Sequence, residues 1–142
     1  MAKAWGSGAL VVICAHTLWF LMILTEAHSD WLMPAITVML IVVMNIAGIG
    51  AFVTALRAPR HRVPLALSMA PLTAALATLS NWILVLAGTH VDFSGFRGAA
   101  GLFAISLAYG IFVSAVGAAI AIWLTKRREA TVPAVAQLPP SN

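Results

Sequence analysis

The chain has 142 residues, of which 62% are hydrophobic and 8% charged, and its mean hydropathy is +1.00; a water-soluble domain, with roughly a quarter of its residues charged, is excluded. The net charge of +4 does not point to nucleic acid, because the basic residues stand at the borders of apolar runs with no aromatic stacking platform among them. A single cysteine, Cys14, excludes an intrachain disulfide.

Lys3 and the interfacial aromatic Trp5 lead into an apolar segment over about 9–25, long enough to cross roughly 30 Å of hydrocarbon. A positive start followed by Ala27-His28-Ser29 imitates a signal peptide. The apolar run exceeds the ~7–15 residues of such a segment, so a retained first helix is expected. Residues 25–31 form an acidic connection without Lys or Arg, closed by Trp31.

The second segment, about 32–56, carries Pro34 in its first turn, where a missing N–H costs little. It ends at the basic stretch Arg57-Ala-Pro-Arg-His-Arg62. The third segment, about 63–88, has Pro64 in its first turn and Pro71 further in, where a kink is expected. A second outer connection, 89–98, contains Phe93 and Phe96. The fourth segment, about 99–125, gives way to Lys126-Arg127-Arg128 and a tail over 126–142, rich in Pro and small residues and expected to be disordered.

Seven of the eight Lys and Arg fall on one side of this pattern: Lys3, Arg57, Arg60, Arg62, Lys126, Arg127 and Arg128. Only Arg97 falls on the other. The positive-inside rule then predicts both termini in the cytoplasm of a bacterial-type inner membrane. The expected fold is an all-α integral membrane protein, with four transmembrane helices in one up-down-up-down bundle over 1–125. Its cytoplasmic edge is a cationic rim of Arg57, Arg60, Arg62, Lys126, Arg127 and Arg128, suited to anionic lipid headgroups or an acidic partner loop.

No Asp, Glu, Lys or Arg lies within the four segments, which removes the usual signature of a proton- or ion-coupled pump. The polar residues left inside are His16, Asn45 and Asn81. Each reads either as interhelical hydrogen bonding or as part of a polar path. Haem at His16 would need a second axial ligand; no other span contains His, and Met39, Met44 or Met69 could serve only in a His/Met pairing.

Ser106, Gly110, Ser114 and Ala118 recur every four residues and form a small-residue stripe, which serves close packing either within the chain or on another membrane subunit. The two outer connections share His-x-Asp-aromatic, as His28-Ser29-Asp30-Trp31 and His90-Val91-Asp92-Phe93. With Glu26 they offer N and O ligands for Zn²⁺ or Cu²⁺, although Asp30 and Asp92 serve equally as helix N-caps.

No catalytic constellation and no resident cofactor are expected. The function that fits is a non-catalytic accessory or assembly subunit of a larger inner-membrane complex, respiratory or transport-related, whose partners are the bilayer and another membrane protein or a second copy. One alternative is a small transporter or sensor of a metal or ligand using the outer His/Asp loops. A haem- or quinone-associated electron-transfer subunit is the other.

Overall fold

The computed structural model describes residues 1–26, 32–87 and 98–131, with side chains described for 1–25, 45–87, 98 and 100–129. Among the described residues there is no strand, and the elements are α1 (Ala2–Glu26), α2 (Leu32–Arg57), α3 (Arg62–Leu67), α4 (Met69–Leu86) and α5 (Ala99–Thr131). Among the described residues, three helical stretches are long and apolar enough to cross a membrane: Ala2–Thr25, Arg62–Leu86 through α3 and α4, and Ala100–Glu129.

Among the described residues, alanines make up much of the interior beside a few large side chains, while many large apolar side chains face outward. Ala47, Ala51, Ala55, Ala66, Ala70, Ala74 and Ala121 are wholly buried. Leu18 (70% exposed), Phe112 (65%) and Leu86 (79%) face outward with Leu10, Ile105 and Ile120. In water this distribution would forfeit the hydrophobic driving force. Against lipid tails nothing is lost by exposing Leu or Phe, and close backbone approach becomes the source of helix association.

Close approach occurs at three crossings, each with a glycine. At the α1/α2 crossing, Gly8 lies against Gly50 and Thr54, so a β-carbon on it would collide with the Gly50 carbonyl oxygen and the Thr54 hydroxyl. At α2/α5, Gly117 lies against the carbonyl of Gly48 and the backbone of Phe52, while Gly48 faces Val113. At α4/α5, a β-carbon on Gly110 would stand 3.2 Å from Ala70 Cα. These pairings make α1 and α2 antiparallel where they cross (8 with 54, 12 with 50) and α2 and α5 parallel (48 with 113, 52 with 117).

Neighbour relations follow from those crossings. Among the described residues, the α2/α5 and α1/α2 pairs are the most extensive, and α4 packs on α5 and α1. The buried cluster of Val12, Trp19, Ile23, Ile46, Met69 and Leu84 fills the space between them.

Two boundaries differ from expectation. α1 starts at Ala2 rather than near residue 9, and Gly6 and Gly8 do not interrupt it; the tertiary contact of Gly8 with α2 outweighs the low helix propensity of glycine. α5 continues past Thr125 through Lys126-Arg127-Arg128 to Thr131, and the Arg127 guanidinium lies 4.1 Å above the Trp123 ring centroid. The rest of the tail, 132–142, lies outside the described residues.

The expected disturbance at Pro71 is present as a break between α3 and α4 at Ser68. Pro71 has no N–H for the Leu67 carbonyl, and its ring crowds that carbonyl. Ser68 bridges the gap: its N–H bonds the Pro64 carbonyl (3.2 Å) and its hydroxyl donates to the Leu65 carbonyl (2.7 Å).

Candidate functional site

The chemistry available to this chain is held in a few polar side chains set among apolar helices, and the fold distributes them unequally. His16, on α1, is 2% exposed, and neither ring nitrogen has a hydrogen-bond partner. Its ring meets Trp19 edge-on at a centroid distance of 5.3 Å and an interplanar angle of 62°. A neutral imidazole presents one donor and one acceptor, so an empty shell around both is a cost of ~1–3 kcal/mol.

The site beside it is a cavity of about 100 Å³ between α1 and α4, lined by His16, Thr17, Phe20, Leu76, Leu79, Ser80 and Ile83. Thr17 turns its hydroxyl back to the Ile13 carbonyl (2.9 Å). Ser80 is buried. Thr17, Leu79 and Ile83 are exposed, so the cavity opens sideways to the outer surface of the helices. It has no room for a porphyrin around His16.

Asn81 is buried, one position from Ser80, but it does not line this cavity. Asn45 lies elsewhere. It is exposed and lines an open groove of about 390 Å³ between α2 and α5, together with Ile49, Phe52, Tyr109, Phe112 and Val116. His16 and Asn45 thus open onto different helix pairs, and neither of these two cavities is lined by more than one of the three polar residues.

No protein-family model, curated protein or solved structure matches the chain.

The small-residue stripe is covered within the chain. Ser106, Gly110, Ser114 and Ala118 are all buried, Gly110 against Ala70 of α4 and the Ser114 hydroxyl 3.4 Å from the Ala47 carbonyl of α2.

The cationic residues share one end. α2 and α5 run parallel, so Arg57 at the end of α2 and Lys126, Arg127 and Arg128 near the end of α5 lie toward the same end, with Arg60 in the turn after α2 and Arg62 at the start of α3. All except the half-buried Arg62 are exposed. Arg62 Nε donates to the Ala58 carbonyl (3.0 Å), and His61 adopts the left-handed conformation (φ 53°, ψ 39°) that turns the chain into α3.

Among the described residues, no group of three or more His, Cys, Asp or Glu is brought together. His28, Asp30, His90 and Asp92 lie outside the described residues, as does the Glu26 side chain.

Sequence reasoning missed Ser80 as a neighbour of His16, and it missed Gly8 and Gly117 as crossing points. A signal for Gly117 was present: Gly110 and Gly117 lie seven residues apart on one helix face, alongside Ser114 and Ala118. Nothing in the sequence paired Ser80 with His16, because that depends on how α1 lies against α4.

Proposed function

We propose that the chain is a multi-pass inner-membrane protein whose four transmembrane helices are α1, α2, the broken α3–α4 pair and α5. Both termini and the 57–62 turn lie on the cytoplasmic side. It acts as a non-catalytic accessory or assembly subunit of a larger membrane complex, respiratory or transport-related.

The observation that carries this reading is the separation of the intramembrane polar groups. A transporter of this size needs a continuous polar route. Here His16 opens toward the α1/α4 flank, Asn81 is buried apart from that cavity, and Asn45 lines the α2/α5 groove.

The surface offered to a partner is then the α2/α5 groove rather than the buried α5 stripe. Its apolar walls, Ile49, Phe52, Phe112 and Val116, enclose two hydrogen-bonding groups, Asn45 and Tyr109. A transmembrane helix carrying a polar side chain at matching depth suits that combination.

The test is capture at native expression levels. A photo-crosslinking residue at Ile49 or Phe112 is expected to trap one defined membrane protein, while the same residue at Leu10 on α1 traps none. Purification as a partner-free monomer in mild detergent, with no crosslink from the groove, would overturn the reading.

A further inference from the structure

The cavity beside His16 has a lining that the accessory role does not use. Its polar groups are the two unpartnered His16 nitrogens and the Ser80 hydroxyl; its walls are Phe20, Leu76, Leu79 and Ile83. Buried polar atoms are partnered in nearly every folded protein, so a vacant donor and acceptor on one buried ring imply an occupant that supplies an acceptor and a donor.

The surroundings restrict what that occupant can be. The mouth lies between exposed Thr17, Leu79 and Ile83 on the apolar flank of the helices, so the guest arrives from the hydrocarbon phase. Charged and strongly hydrated solutes are excluded by that route. A volume near 100 Å³ holds part of one ring or a few waters, not a phospholipid headgroup. Phe20 in the wall provides aromatic surface for a flat ring.

We propose that this notch takes one edge of the head ring of a lipid-soluble quinone or quinol, with a ring oxygen hydrogen-bonded to His16 and Ser80 and the rest of the ring and the tail lying in the bilayer along α1 and α4. A quinone carbonyl accepts from the imidazole N–H or the serine hydroxyl, and a quinol hydroxyl also donates to the bare imidazole nitrogen. Either state therefore satisfies the ring better than an empty cavity does. The site is independent of the accessory reading, because ligand binding is measured on the isolated chain and partner capture is not.

The experiment uses the full chain in lipid nanodiscs titrated with decylubiquinone. Binding is followed by tryptophan quenching and, as a second readout, by the amount of quinone retained per protein. A saturable one-to-one component is expected. Loss of a single hydrogen bond predicts affinity about tenfold weaker in His16→Phe, whereas His16→Gln, which keeps a donor and an acceptor, stays close to the parent. Leu79→Trp, at an exposed mouth position, is expected to block entry and abolish the saturable component without entering the core.

Saturable binding that is lost in Leu79→Trp and weakened in His16→Phe supports the site; if His16→Phe does not fold, Leu79→Trp alone decides. Absence of saturable binding, or equal binding in the parent and Leu79→Trp, overturns it and leaves water as the only occupant.

Discussion

Gly117 of α5 and Gly48 of α2 approach so closely that a β-carbon on Gly117 would overlap the Gly48 carbonyl oxygen. The contact joins the most extensive helix pair in the fold, and only hydrogen fits between the two backbones.

Gly117→Ala must therefore push α2 from α5, since the atom in the way is backbone rather than a movable side chain. The expected cost is about 1–3 kcal/mol, read as a lower unfolding temperature in detergent. Gly6→Ala, where no atom lies within 4 Å of the added carbon, is the control. It is expected to be neutral or stabilising by ~0.5–1 kcal/mol through helix propensity.

Trp5 Nε1 donates to the Ser68 hydroxyl (2.9 Å), tying the start of α1 to the break between α3 and α4. Ser68→Ala removes that acceptor together with the hydroxyl's bond to Leu65. Because the Trp5 contact is exposed, the expected loss is at the low end of ~0.5–1.5 kcal/mol. A shift in Trp5 emission, read in a variant with the other tryptophans replaced, checks it.

Pro71→Ala restores an N–H that can reach the Leu67 carbonyl. The predicted outcome is a continuous helix through Ser68, slower amide exchange at residue 71 than at exposed helix ends, and a weakened Trp5–Ser68 tie. If the break persists with the proline gone, Pro71 is not its cause.

His16→Leu removes a buried polar ring with no partner. Without any guest, the variant is expected to be as stable as the parent or more so, by up to ~1–3 kcal/mol. A marked loss of stability would mean that His16 is satisfied in the empty protein.

Neutralising Arg57, Arg60 and Arg62 together is predicted to leave a mixed population of orientations, with Lys126, Arg127 and Arg128 still holding the C-terminal half. Single changes should be silent. Reporter fusions after Thr131, active on one side of the membrane only, distinguish these outcomes.

The helices were legible because their signal is local. Runs of apolar residues bounded by Pro34, Arg57, Pro64 and Lys126 needed no tertiary information, and Pro71 located the break to within a turn. The ends of α1 and α5 were less legible. Gly8 weakens a helix in isolation and is tolerated only because α2 needs its missing side chain. The candidate site was half legible: His16 stood out as the single intramembrane histidine, but the pairing of α1 with α4 that brings Ser80 beside it is a matter of global packing. The small-residue stripe was evident, whereas which neighbour covers it was not, since Ser106, Gly110, Ser114 and Ala118 suit any close helix.

The length of α5 carries a mechanical consequence. Its 33 residues span about 50 Å, against roughly 30 Å of hydrocarbon. The turns from Trp123 to Thr131 add about 12 Å of helix, within which the Arg127 guanidinium stacks on the Trp123 ring. A single crossing of the hydrocarbon therefore uses only about three fifths of this helix, and the remainder continues as helix past the basic residues rather than ending at them.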